Sequence, residues 1–280
     1  MSAPLLEIED LRVAFNTPKG RVDAVRGVSF SLARGERLGV VGESGSGKSQ
    51  TGRAILGVSD RRAEVAARAI RFDGVDLTTA EPSFLRRLRG SRMSMILQDP
   101  KFSLNPVMAV GTQIAEAVTA HARVGRAEAR ARARAMLEAV QIRDPDRVMA
   151  AYPHELSGGM GQRVMIAMMT IAEPDLVIAD EPTSALDVAV ADAVLEVLDN
   201  VVRRRGAGLI FISHDLNLVA RFCDRLLIMY AGRVVESCAA ADLAKASHPY
   251  TQGLLACLPR LDQPVETLAT LRRDPAWASE

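Results

Sequence analysis

Cysteine is scarce in this chain of 280 residues: Cys223, Cys238 and Cys257 are the three present, and no two form a CxxC pair. That spacing excludes a zinc site or a four-cysteine iron–sulfur cluster built from this chain alone, and it fits reduced thiols in a cytosolic protein. An excess of one charge is also missing. The 35 Lys and Arg against 34 Asp and Glu leave a formal net charge of +1, without the basic excess of a dedicated nucleic-acid binder. Glu7, Glu9 and Asp10 interrupt the N-terminus before an apolar run develops, so no signal peptide is expected. The longest uncharged apolar stretch, Val164 to Ala172, falls far short of the roughly 20 residues a membrane-spanning helix needs. A protein of this kind that serves a membrane is expected to reach it through a partner.

What is present is the balance of a globule with a core. Hydrophobic residues make up 48% and charged residues 25%, in a length that suits one large α/β domain or one with an inserted subdomain. Leu5 to Phe15 and Val22 to Leu32 show broken period-2 alternation, and Arg37 to Val41 is a short apolar run. All three read as strands. A helix is expected from Lys48 through Leu56. Ile70 to Leu77 reads as a strand with Asp73-Gly74 as a turn signal, and Met93 to Leu97 as a buried strand.

Helical spacing then dominates from Pro100 to about Ala172, notably over Val110 to Ala120 and Arg126 to Val140. Arg126, Arg130 and Arg134 share one face, read as solvated surface in preference to a nucleic-acid or lipid contact. Strand signals return at Leu176 to Ala179, Leu209 to Ser213 and Arg225 to Met229, separated by helical runs over Ala189 to Val202 and Leu216 to Phe222. Such alternation predicts a mostly parallel sheet. No motif repeats, and the end from Pro259 to Glu280 lacks periodicity.

Gly42-Glu43-Ser44-Gly45-Ser46-Gly47-Lys48-Ser49 fits GxxxxGK[ST] between a strand and a helical run, which is the context a phosphate-binding loop requires. Glycines let successive backbone N–H groups turn inward around phosphate oxygens, and a helix N-terminus adds partial positive charge. Lys48 is expected to bridge the β- and γ-phosphates of ATP, and Ser49 to offer its hydroxyl to Mg²⁺. Gln50 continues this set. An apolar strand ending in Asp180-Glu181 supplies a matching element, with Asp180 near the metal and Glu181 placed to polarise water.

At this point the chain resembles the ABC (ATP-binding cassette) ATPases. Leu156-Ser157-Gly158-Gly159-Met160 is similar to the family signature, Gln98 to its Q-loop, Ser184-Ala185-Leu186-Asp187 to its D-loop, and His214 to its switch histidine. The resemblance implies an α/β P-loop ATPase core, mostly parallel sheet plus an antiparallel N-terminal β region, with an α-helical subdomain inserted at about 100–172. The cassette would occupy 1–260, followed by a tail at 261–280. Two cassettes would pair head to tail, each ATP lying between one phosphate loop and the other cassette's Ser157, Gly158 and Gly159, with Gln162 nearby. Gln98 would sense the γ-phosphate and Mg²⁺, His214 would act with Glu181, and Phe15 would stack on adenine; a core phenylalanine is the competing reading of Phe15.

The finer resemblance is to importers of dipeptides, oligopeptides and nickel. It rests on Gln98 to Pro106, on Pro153-His154-Glu155-Leu156, on Gly161 to Met169, and on His248-Pro249-Tyr250-Thr251. It implies a second ATPase chain, different or identical, two transmembrane permease subunits, a solute-binding protein and a peripheral place on the cytoplasmic face of the inner membrane, with no nucleic acid. The chain stops at Glu280 without the cysteine-bearing extension of many peptide-importing relatives, which leaves nickel or opine-type solutes open. ABC ATPases acting on DNA or ribosomes carry coiled-coil insertions, paired cassettes or zinc modules, none of which is seen here. A non-hydrolysing cassette would lack Glu181 or His214.

Overall fold

The computed structural model describes residues 3–18, 20–184 and 186–258, with single positions at 271, 274 and 277. Most of the expected tail at 261–280 therefore lies outside the described residues, as does Ala185.

The chain opens with the long strands β1 (Leu6–Thr17) and β2 (Gly20–Leu32), then β3 (Arg37–Val41) and helix α1 (Lys48–Leu56). Three short strands follow, β4 (Ala63–Ala66), β5 (Ala69–Phe72) and β6 (Val75–Asp76). After α2 (Pro82–Leu88) and β7 (Met93–Ile96) come four helices: α3 (Val110–Thr119), α4 (Arg126–Ala139), α5 (Pro145–Ala150) and α6 (Gly158–Thr170). The remainder is β8 (Leu176–Asp180), α7 (Val188–Arg205), β9 (Gly208–Ser213), α8 (Leu216–Phe222), β10 (Arg225–Tyr230), β11 (Arg233–Ala239) and α9 (Pro249–Ala256). These elements divide into two compact units.

The first unit holds the residues up to Leu32, Arg37–Thr78 and the residues from Phe211 onward. Its antiparallel sheet runs β2-β1-β5-β6, with β4 also paired to β1. Leu6, Ile8, Leu11 and Val13 are almost wholly buried. The break in their alternation has a cause: the β1–β2 register shifts between Ile8 and Leu11, and Asp10 takes a left-handed φ of 51°. The stretch expected as one strand over Ile70 to Leu77 is two. Asp73 and Gly74 both have positive φ, 51° and 79°, so the chain reverses there in a tight hairpin. The same unit contains parallel β3–β10, from Leu38↔Arg225 to Val41↔Ile228, and antiparallel β10–β11.

The second unit holds Ala33–Glu36 and Thr79–Ile210. Strands β7 and β8 are parallel, from Met93↔Leu176 to Ile96↔Ala179, and all their residues are buried. The helices α3 to α6 are the chain between these neighbouring strands. Helix α4 buries Ala129, Ala133 and Leu137 at four-residue spacing, while Arg126 and Arg130 are exposed. Arg134 on the same face pairs with Glu138 at 2.7 Å and Asp146 at 2.9 Å, as a solvated surface does. The apolar stretch that begins at Val164 is the buried side of α6, where Val164 to Ala167 are all fully covered. No helix among the described residues is long and apolar enough to cross a membrane.

Candidate functional site

The phosphate loop belongs to the first unit, between β3 and α1. Helix α1 starts at Lys48, with Gly47 at its cap. Gly45 and Gly47 take φ values of +84° and +100°, conformations that cost L side chains energy. Gly42 is glycine for a different reason: a Cβ there would lie 2.1 Å from the carbonyl oxygen of Met229. Lys48 is only 5% exposed, and a buried ammonium must be compensated. Its Nζ donates to the carbonyls of Gly42 at 2.7 Å and Glu43 at 2.8 Å. Ser46 and Gly47 are buried, Glu43, Ser49 and Gln50 half-buried, and Ser44 and Gly45 exposed. The loop thus has a rigid base and an open crest at the N-terminus of a helix, an anion-binding arrangement.

The acidic end of β8 lies in the second unit. Asp180 is 4% exposed, and Glu181, half-buried, has left-handed backbone with φ 48°. A non-glycine residue there stores of order 1 kcal/mol or more, and such strain concentrates at working sites. It is held by Ser184, whose N–H and hydroxyl both donate to the Glu181 carbonyl, at 3.3 and 3.2 Å. Gln98, just after β7, donates its side-chain amide to Glu181 Oε2 at 3.2 Å. Parallel pairing of β7 with β8 is what brings these two loops together.

The signature segment is in the same unit. Ser157 caps α6, its Oγ accepting from the N–H of Met160 at 3.4 Å. Ser157 and Gly158 are exposed, leaving the first turn of a thirteen-residue helix facing outward. Gly159 makes a close approach: a Cβ would sit 2.4 Å from Cγ1 of Val190 in the first turn of α7. Gln162, expected among the nucleotide contacts, is 1% exposed. It borders a cavity of about 490 Å³ with Pro100, Leu104 and His154 on its walls, and its Nε2 is without a hydrogen-bond partner.

His214 is exposed in the first unit, between β9 and α8, where Asp215 caps the helix by accepting from Leu218 N at 3.0 Å. Phe15 is half-buried on β1, opposite Val22 of β2 and Ala63 of β4. One residue that sequence reasoning missed touches the phosphate loop: Tyr250 accepts the N–H of Glu43 at 3.1 Å. The His-Pro-Tyr-Thr run carries part of the importer resemblance, which gives Tyr250 no role.

The donor types suit Mg²⁺ and a nucleotide. Ser49, Asp180 and Gln98 offer hydroxyl, carboxylate and amide oxygens, the hard donors that Mg²⁺ takes. Gly42 lets the start of the loop lie directly against the carbonyl of Met229.

Comparisons with known proteins give the family. A family model described as ABC transporter matches residues 25–184. The oligopeptide transport ATP-binding protein OppD of Escherichia coli (strain K12) is 46% identical over 272 residues, covering 97% of this chain and 80% of its own. A putative peptide import ATP-binding protein of Brucella abortus (strain 2308) is 45% identical over 271 residues, covering 96% and 82%. Among solved structures, the dimeric post-hydrolysis state of the ATP-binding cassette MJ0796 bound to ADP and Pi shares the fold, with a TM-score of 0.74 at 23% identity, covering 84% of this chain and 98% of its own.

Proposed function

The chain belongs to the ABC transporter family and is an ATPase of that class; from this premise we propose that it drives a bacterial-type importer of peptides or similar small solutes. It works as one of two ATPase subunits, paired head to tail beneath two membrane-spanning permease subunits that a solute-binding protein supplies. The observation that carries the reading is the strained Glu181, its carboxylate held by Gln98 beside the buried Asp180. The peptide class rests on the likeness to OppD across nearly the whole chain.

The residue roles follow from their chemistry. Lys48 and the loop from Gly42 to Ser49 and Gln50 hold the phosphates, charge-assisted hydrogen bonds being the stronger kind. Ser49, Asp180 and Gln98 would hold Mg²⁺, which when bound neutralises charge on the phosphate oxygens. Glu181 accepts the proton of the attacking water, and His214 donates to the developing phosphate charge. Ser157, Gly158 and Gly159 offer a second helix N-terminus to the γ-phosphate on the neighbouring cassette. Phe15 stacks on adenine.

The cassette spans 1–260, with the helical block at about 100–172 and a tail at 261–280. The cavity beside Pro100, Leu104 and His154 receives a cytoplasmic helix of the permease, so closure around ATP becomes movement in the membrane. The subunit sits on the cytoplasmic face of the inner membrane. Tagged protein extracted in detergent is expected to bring down two permease chains and a second ATPase. Recovery of the ATPase alone under conditions that preserve membrane complexes contradicts the transporter role.

A further inference from the structure

Helix α9 reaches the phosphate loop through the hydroxyl of Tyr250. The carbonyl of Gly42 and the N–H of Glu43 belong to one peptide group, and in a trans peptide they point in opposite directions. On one side the carbonyl accepts from Lys48 Nζ at 2.7 Å. On the other the N–H donates to the Tyr250 hydroxyl at 3.1 Å. The peptide plane is therefore pinned at both ends. Turning it would move the oxygen that positions the Lys48 ammonium and would strip a part-buried N–H of its partner.

Tyr250 is itself held firmly. It is 0% exposed, with its ring 4.6 Å from that of Tyr230 and 5.9 Å from that of Trp277. Tyr230 directly follows Met229, whose carbonyl faces Gly42. The start of α9 is tied down as well. The Tyr250 N–H donates to His248 Nδ1 at 3.1 Å, and Glu236 Oε1 accepts from Ser247 N at 2.7 Å. Burial pushes the Glu236 carboxyl up, but the polar groups of Thr251, Ser247 and His248 around it outweigh that and hold the group below the usual glutamate range.

We propose that Tyr250 is a positioning residue for nucleotide binding: its hydroxyl clamps the Gly42–Glu43 peptide, and through that carbonyl it sets the Lys48 ammonium. The proposal rests on the phosphate-loop reading of Gly42 to Ser49. It also gives the His-Pro-Tyr-Thr run a task, since His248 and Pro249 start the helix that delivers the phenol.

The test is the affinity of the full chain for a fluorescent ATP analogue, measured beside its unfolding temperature without nucleotide. Tyr250→Phe keeps the ring and removes the hydroxyl. Affinity for ATP and ADP is expected to fall about three- to tenfold, the order expected for one lost hydrogen bond, with the nucleotide-free unfolding temperature nearly unchanged. Thr251→Val removes the neighbouring buried hydroxyl, which does not reach the loop, and is expected to bind as wild type. Wild-type affinity in Tyr250→Phe, while Lys48→Ala loses binding, overturns the proposal and leaves the phosphate loop intact. Equal weakening by Thr251→Val overturns it too, by making the effect one of general packing. Unchanged binding in Lys48→Ala removes the phosphate loop and this proposal with it.

Discussion

Gln98 donates its side-chain amide to Glu181 Oε2 across 3.2 Å, joining positions 83 residues apart in sequence. The bond restrains a carboxylate whose backbone is already strained at φ 48°. Glu181 thereby has one preferred orientation, as a group that must meet a water in a fixed place requires.

Gln98→Ala removes that restraint without touching the phosphate loop. Turnover in the assembled transporter is expected to fall by roughly tenfold to a hundredfold, the range that misplacing a reacting group costs. Affinity of the isolated chain for nucleotide without Mg²⁺ is expected to stay within about twofold, since the roles proposed for Gln98 are toward Glu181 and Mg²⁺ and not within the phosphate loop. Steady-state hydrolysis and equilibrium binding on the same preparations separate the two.

Gly159→Ala places a Cβ 2.4 Å from Val190 Cγ1, so Val190 must turn or the first turn of α6 or of α7 must shift. ATP binding by the isolated chain is expected to be retained. Turnover of the paired assembly is expected to drop by about tenfold or more, because in the proposed pairing the signature turn serves the neighbouring cassette. Adding Val190→Ala makes room and is expected to restore much of the rate, a coupling that a double-mutant cycle reads directly. No rescue would show that the glycine is needed for a reason other than this contact.

Cys223, which directly follows α8, is buried, and its thiol is pushed up to about 12 by burial, with Arg37 opposing and Asp224 adding. At pH 8 the thiolate fraction is then about one in ten thousand. Iodoacetamide is expected to label the native chain first at Cys257 and to reach Cys223 only after denaturation. Peptide mapping checks the order, and labelling of Cys223 as fast as Cys257 in the native chain contradicts it.

Local pattern carried much of the fold. The strand Arg37–Val41 and the helices Lys48–Leu56 and Leu216–Phe222 are where spacing and turn residues predict them. Elements that owe their form to a partner were illegible. Ala63–Ala66 is largely exposed and has no apolar alternation; it is a strand because β1 pairs with it from Arg12 to Phe15. Strand β11 is likewise half-exposed along its length. Helix α2 buries Leu88 alone, too little for a periodic signal.

Motif residues of the candidate site were legible because phosphate and metal chemistry fixes residue type at fixed spacing. Contacts between distant segments were not, and Tyr250 lies 207 residues from Glu43. Gly161 shows the same limit. Its cost in a helix, about 1 kcal/mol against alanine, could be read from sequence. Its benefit could not: a Cβ there would sit 3.3 Å from Cγ of Pro100, so glycine lets the segment after Gln98 lie close on α6.

Hydrolysis and nucleotide retention by the Glu181→Gln chain, paired in its transporter, test the central claim most directly. The substitution keeps size and hydrogen bonding and removes the proton acceptor. Steady-state turnover is expected to fall by at least about a hundredfold, while ATP stays bound between the paired cassettes and is recovered unhydrolysed. Turnover at the wild-type rate would contradict the assignment of Glu181 as the group that activates water.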